Sequence, residues 1–308
     1  MSTDWHGVFP AIPTQLHEDL SVDIESTMRH LDQMIEAGVH GMVVLGSIGE
    51  NTAMLPEEKR QILRASVETA RGRVPVLTGI SEFTTAEAAR YAKDAADIGA
   101  DGLMVLPAMV YKADPREAVA HYRAVAAAGP LPILCYNNPL VYGVDLTPQA
   151  FVELSDVKNI VAIKEASGDT RRLTDLVNAV GNRYTLFAGL DDVVLESVML
   201  GATATVFGLV CGFPAETLRM WDLAIEGKWD AAREIYRWFM PMLHLDSHPK
   251  LVQNMKLIVQ ETGYGHERSR PPRLPLIGKE REHVLGLIHT AIRNRPDLSS
   301  EPLLAAAR

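Results

Sequence analysis

A lysine closes the apolar run Ile160–Lys164 in "IVAIKEASGD". An ammonium in such a place loses its water at a cost of several kcal/mol unless a carboxylate meets it or it gives up its proton. Burial favours the neutral amine and draws a lysine pKa down from about 10.4, and a neutral amine is a nucleophile toward carbonyl and imine carbon. Three other stretches carry groups suited to the same chemistry. Tyr136 in "LCYNNP" has a phenol that can pass protons to and from oxygen and carbon. "LGSIGE" sets Ser47, Ile48 and Gly49 in a glycine-flanked turn whose N–H groups and hydroxyl suit a carboxylate. Asp191 in "AGLDD" can accept from hydroxyl groups. Each has a plainer reading: Lys164 ion-paired to Glu165, Tyr136 a half-buried cap, Glu50 one acid in an ordinary turn, and the Asp191–Asp192 pair a helix N-cap.

These residues converge only if their segments are strand ends of one sheet. "EAGVHGMVVLGSIGE", "DIGADGLMVLPAMV" and "MLGATATVFGLV" each pass from a helical tail through a glycine into a short apolar strand. Eight strands are expected: Val8–Thr14, Gly41–Leu45, Val74–Gly79, Gly102–Leu106, Pro132–Tyr136, Ile160–Lys164, Thr185–Ala188 and Ala204–Leu209. Helical stretches such as Ile24–Ala37, Pro56–Arg71, Thr85–Ile98 and Pro115–Ala128 lie between them. Near-continuous apolar strands fit a parallel sheet covered on both faces, so the expected fold class is α/β, a (β/α)8 TIM barrel, with a doubly wound sheet as the rival. On a barrel, the C-terminal strand ends form one mouth. Residues 1–214 are the expected barrel, and 215–308 a C-terminal helical appendage, with helices at 215–245, 249–262 and Lys279–Arg293 and a frayed tail from Asn294. The aromatics of 221–243 read as packing, and "RSRPPRLPL" as a segment clamped over acidic neighbours.

Composition narrows the function classes. The chain has 308 residues, 47% hydrophobic and 22% charged, with a net charge of -9 and no basic run, which argues against nucleic acid as a partner. No stretch of about 18 apolar residues suggests a membrane span, and the N-terminus lacks a signal pattern, so a cytoplasmic location is expected. Cys135 and Cys211 sit in apolar sequence and read as reduced core thiols. No metal is expected: His244 and His248 in "HLDSHPK" stand four apart, but Asp246 and Pro249 make a rim turn the better reading.

"GSIGE", "YNNP" and "AIKEASGD", in this order, resemble the dihydrodipicolinate synthase and N-acetylneuraminate lyase superfamily of class I Schiff-base lyases, over about Val8 to Gly263. The resemblance implies that Lys164 condenses with a 2-oxo acid, Tyr136 shuttles protons over the Schiff base, and Ser47, Ile48 and Gly49 hold the substrate carboxylate. It implies no cofactor, since the lysine is itself the electron sink, and a homotetramer or other homo-oligomer.

Departures from the synthase branch point to a different substrate. That branch has an arginine where "YNNPLVYG" has Val141, a threonine where Ile48 stands, and tyrosines where "LPAMVY" gives Ala108 and Met109. Val141 cannot bind a second carboxylate, and Tyr111 is the nearest substitute for a missing relay hydroxyl. Asp191 resembles acidic residues that hold hydroxyls in lyase members of the superfamily. A small hydroxylated 2-oxo or cyclic imino acid is therefore expected. The foremost candidate reaction is the 1-pyrroline-4-hydroxy-2-carboxylate deamination of hydroxyproline breakdown, releasing ammonia and 2,5-dioxopentanoate. The alternatives are a 2-keto-3-deoxy sugar acid aldolase or dehydratase, dihydrodipicolinate synthase itself, and a keto-acid-binding barrel without turnover.

Overall fold

Eight short strands and the helices between them account for most of the chain up to residue 225 of the computed structural model, which describes residues 3–298. In order they are β1 (Gly7–Pro10), α1 (Ile24–Ala37), β2 (Met42–Val44), α2 (Pro56–Ala70), β3 (Val76–Ile80), α3 (Thr85–Ile98), β4 (Gly102–Val105) and α4 (Pro115–Ala127). There follow β5 (Ile133–Asn137), α5 (Pro139–Tyr142), α6 (Pro148–Glu153), β6 (Ile160–Glu165), α7 (Arg171–Val180), β7 (Thr185–Ala188), α8 (Val194–Met199), β8 (Ala204–Phe207) and α9 (Pro214–Ile225). All strand pairs are parallel, in the order β1-β8-β7-β6-β5-β4-β3-β2. A parallel bridge from Ala11 to Val43, with the Ile12 amide donating to the Val43 carbonyl at 2.9 Å, joins the two ends. The result is the expected (β/α)8 barrel.

Local sequence sets the joints. Asp23 caps α1, its carboxylate accepting from the Ser26 amide at 2.9 Å, and Asp114 caps α4 reciprocally with Glu117. Helices α1 and α3 stop at Gly38 and Gly99, both in the left-handed conformation that ends a helix before a strand. The first strand is shorter than expected because beyond Ala11 the chain leaves the ladder, and the Thr14 hydroxyl donates to the Gly49 carbonyl at 2.8 Å. Trp5, Phe9 and Phe187 are buried and meet edge to face, with centroids 6.5 and 5.4 Å apart. Phe187 stands in register with Lys164, so this aromatic cluster reaches the strand position next to that lysine.

Helix α9 packs on α1 and β1 and completes the ring of barrel helices. Beyond it, within the expected appendage of 215–308, lie α10 (Trp229–Leu243), α11 (Leu251–Glu261) and α12 (Gly278–Arg293). The continuous helical pattern of 215–245 conceals a break at Gly227, where the chain leaves α9 for α10. The basic Pro-rich segment is clamped as expected: the Arg270 guanidinium donates to Glu58 at 2.6 and 2.9 Å, and to the Leu20 and Ala53 carbonyls. The part of the tail from residue 299 lies outside the described residues. Among the described residues, no helix is long and apolar enough to cross a membrane.

Candidate active site

Three lysines are buried: Lys59, Lys164 and Lys256. Two are met by carboxylates, Lys59 by Glu82 at 2.6 Å and Lys256 by Glu50. Lys164 differs: among the described residues, no carboxylate oxygen comes within ion-pair distance of its Nζ. The strand pleat sends Glu165 to the other face of β6, where it accepts from the Asn137 side chain at 2.9 Å and the Ser167 amide at 2.7 Å. A Lys164–Glu165 ion pair is thus ruled out by geometry. The Lys164 Nζ lies 3.9 Å from the centroid of the Tyr136 ring. Burial holds its pKa below the ordinary lysine value, against opposing pulls from Asp246, Tyr142 and Asp191.

Each residue of "YNNP" has a separate task. Tyr136 stands beside Lys164 in the β5–β6 register. Asn137 faces away, donating to Glu165 and accepting from the Leu146 amide at 2.8 Å. Asn138 caps α5 by accepting from the Val141 amide at 3.0 Å, and its Nδ2 donates to the Tyr136 hydroxyl at 3.1 Å. Pro139 starts the helix, where its missing N–H is no loss. One turn on, Tyr142 points back: its hydroxyl is hydrogen-bonded to Ser47, and its ring meets Tyr136 edge to face at 5.9 Å. Burial raises the pKa of both phenols, while hydrogen bonding to Ser47 opposes the rise in each.

Tyr142 therefore occupies the place that the sequence offered to Tyr111. Tyr111 is exposed and donates to Glu117 at 2.5 Å, away from Lys164's neighbours. The motif ends at Pro139, so Tyr142 was missed, although a tyrosine three residues after a helix-starting proline was the available signal. Tyr142→Phe removes one buried hydrogen bond, a loss of about 1–3 kcal/mol, or roughly 5- to 150-fold. Turnover is expected to fall within that range, and the midpoint of urea unfolding to drop by no more than the same loss; steady-state kinetics beside a denaturation curve would check it.

The "GSIGE" turn follows β2. Leu45 and Glu50 bracket it with φ of 55° each, a left-handed conformation that costs side-chain-bearing residues energy and holds the loop tightly folded. A Cβ on Gly49 would stand 2.8 Å from the Leu45 nitrogen, so only glycine fits. Among the described residues, no acceptor meets the backbone N–H groups of Ser47, Ile48 and Gly49. They are free for an anion. Ser47 and Ile48 line one cavity with Tyr136, Asn138, Lys164 and Asp246.

Asp191 is placed differently from the expectation that it meets substrate hydroxyls. Its side chain is buried, and its oxygens accept from the Gly208 amide at 3.0 and 3.2 Å and the Leu209 amide at 2.8 Å. It fastens the end of β7 to that of β8. Asp192 binds His244 at 3.0 Å and Ser247 at 2.9 Å, so "HLDSHPK" is indeed a rim turn. That turn carries Asp246 into the cavity, and nothing in the sequence spacing linked residue 246 to the strand ends. Among the described residues, no cluster of His, Cys, Asp and Glu is fit to hold a metal ion.

A model of the dihydrodipicolinate synthetase family matches residues 4–291. The chain belongs to that family. As a family member it is a lyase that works through a lysine Schiff base. Curated relatives include the 4-hydroxy-tetrahydrodipicolinate synthase of Xanthomonas axonopodis pv. citri, 33% identical over 97% of this chain and 99% of that one. The protein of the same name from Methanospirillum hungatei is 30% identical over 88% of this chain and 93% of its own. Among solved structures, the 4-hydroxy-tetrahydrodipicolinate synthase of Methylacidiphilum fumariolicum SolV superposes with a TM-score of 0.90 at 27% identity, covering 94% and 97% of the two chains. The chloride-inhibited dihydrodipicolinate synthase of Acinetobacter baumannii, complexed with pyruvate, gives 0.87 at 27% identity, over 94% and 99%.

Proposed function

We propose that Lys164 is the Schiff-base lysine of this family member, that Tyr136 moves its protons, and that the substrate is a small acid with one carboxylate and a hydroxyl, foremost 1-pyrroline-4-hydroxy-2-carboxylate. The observation that carries the substrate class is the charge around the cavity. Its lining supplies one cationic side chain, Lys164, which the Schiff base consumes, and one carboxyl, Asp246. Val141, in the position of the synthase arginine, is 53% exposed and apolar. A first carboxylate can rest on the N–H groups of Ser47, Ile48 and Gly49, whereas a second would face Asp246.

In this reading the neutral Lys164 amine adds to C2 of the cyclic imine, and the geminal diamine opens to leave the substrate nitrogen as an amine on C5. Tyr136 takes a proton from C3, and the enamine expels the C4 hydroxyl as water. The new double bond shifts to C5, two hydrolyses release ammonia and free the lysine, and 2,5-dioxopentanoate departs. The net reaction consumes one water.

A second reading rests on the relatives' name: condensation of pyruvate with aspartate semialdehyde as a 4-hydroxy-tetrahydrodipicolinate synthase. A homotetramer is the assembly implied by the resemblance, and the exposed apolar side chains Val110, Tyr111, Leu140 and Val141 on the barrel rim support one. A cytoplasmic location belongs to the same proposal.

The purified protein is expected to release ammonia from 1-pyrroline-4-hydroxy-2-carboxylate without added metal or nucleotide, and to condense pyruvate with aspartate semialdehyde negligibly. Parallel assays of ammonia, pyruvate and aldehyde decide it. Cleavage of a 2-keto-3-deoxy acid to pyruvate and an aldehyde, with the cyclic imine left intact, would replace the deaminase by the aldolase.

A further inference from the structure

Asp246 reaches the site from outside the barrel. It belongs to the connection between α10 and α11, which hydrogen bonds to Asp192 and Asn254 hold in place, with Asp192 itself fixed by Tyr236. Asp192 binds His244 and Ser247, Asn254 donates to the Leu245 carbonyl at 3.2 Å, and the Tyr236 hydroxyl donates to the Asp192 carbonyl at 2.6 Å. The two consecutive aspartates at the end of β7 thus divide the work: Asp191 ties the strand ends together, and Asp192 anchors the turn that delivers a third acid. Asp246 itself is left nearly uncommitted. Among the described residues, its carboxylate accepts one hydrogen bond, a long contact of 3.5 Å from the Asp191 amide, and its other oxygen lies over Gly208, where a Cβ would come within 2.9 Å. It shares the cavity with Lys164 and Tyr136. Removal from water, opposed by the nearby Lys164, pushes its carboxyl up to about 6. A carboxyl of that kind holds a proton often enough, and parts with it readily enough, to serve as an acid or a base near neutral pH.

We propose that Asp246 is the catalytic acid–base residue for the oxygen on C4 of the substrate, two carbons beyond the Schiff-base carbon. The inference rests on the reading of Lys164 as the Schiff-base lysine, and it holds for either candidate reaction. In elimination, the enamine electrons form the C3–C4 double bond as the C4–O bond breaks, and the departing hydroxide takes the proton of Asp246, leaving water and a carboxylate. In aldol cleavage, the carboxylate takes the proton of the C4 hydroxyl as the C3–C4 bond breaks, its electron pair enters the enamine, and an aldehyde leaves. Tyr136 stands beside the Schiff base and serves C3. Asp246, brought in over the ends of β7 and β8, serves the next carbon.

Pyruvate separates the two roles, because it has no C4. Exchange of its methyl protons into D2O needs the Schiff base and the proton transfer at C3, and nothing further. In Asp246→Asn, the ratio of turnover of the C4-hydroxy substrate to pyruvate exchange is expected to fall by about 10²–10⁴, the range for a lost general acid–base. Asp246→Glu, which keeps an acid, is expected to hold the ratio within about tenfold of wild type. Exchange and turnover falling together in Asp246→Asn would mean that the residue only tunes Lys164, and would overturn the proposal. So would an unchanged ratio, or a Glu variant as impaired as the Asn one. A wild-type protein that neither exchanges pyruvate protons nor is trapped by borohydride would instead remove the Schiff-base reading, a failure distinct from that of Asp246.

Discussion

Pyruvate and borohydride together are expected to attach one label to the protein, on the peptide that carries Lys164, and Lys164→Ala is expected to abolish both the label and turnover. The reason lies in the contrast among the buried lysines. Lys59 and Lys256 are each engaged by a carboxylate, Glu82 and Glu50, and Lys256 also donates to the Arg268 carbonyl. Burial draws the pKa of Lys256 down too, so the difference lies in the partners that occupy these two nitrogens. Lys164 has no such partner among the described residues, burial lowers its pKa, and a cavity opens beside it. Loss of a covalent nucleophile costs on the order of 10⁴–10⁶ in rate. Peptide mass mapping after reduction gives the answer directly. A label on Lys256, or on the exposed Lys158, would sink the assignment and the reaction built on it.

The barrel was legible because parallel strands buried on both faces leave long apolar runs, and because glycines such as Gly38 and Gly99 punctuate the passage from helix to strand. Lys164, Tyr136 and Ser47 were legible as a set only on the premise that strand ends converge. What lies beyond those strand ends was not. Asp246 comes from a turn in the helical appendage, and its approach depends on Asp192 binding His244 and Ser247, a tertiary contact with no local periodicity. Asp191 illustrates the converse. Its position at a strand end suggested a ligand contact, but the amides of Gly208 and Leu209 needed an acceptor and took it. Helix α9, read from the sequence together with α10 as one helical stretch, packs against α1 and β1, a contact that no local pattern announces.

The Pro-rich segment was readable as a clamp, but its deepest contact was not. In "LVQNMKLIVQ", Lys256 interrupts an apolar helix, which was a signal that something charged had to meet it. That group is Glu50, the last residue of the loop proposed to hold the substrate carboxylate.

Lys256→Met is expected to destabilise the protein by about 3–5 kcal/mol, the scale for a buried ion pair broken from one side. Both side chains are fully buried. Lys256 also donates to the Arg268 carbonyl at 2.6 Å, and Glu50 accepts from the Arg270 amide at 2.9 Å. Methionine fills the space of the lysine stem but leaves the Glu50 carboxylate with that amide and with Arg273, whose guanidinium is 3.9 Å away. Adding Glu50→Gln removes the stranded charge, so the double variant should recover part of the loss, and urea midpoints at constant m would measure the coupling. The same network anchors the active-site loop, since the Glu50 amide donates to the Ser47 carbonyl and the Asn51 amide to the Gly46 carbonyl. With the anchor loosened, the free N–H groups of Ser47, Ile48 and Gly49 lose their fixed aim. The variant should therefore need more pyruvate for half-maximal borohydride labelling, while the labelling rate at saturation, which belongs to Lys164, stays close to wild type. An unchanged midpoint of unfolding together with an unchanged pyruvate requirement would show that the appendage does not hold this loop.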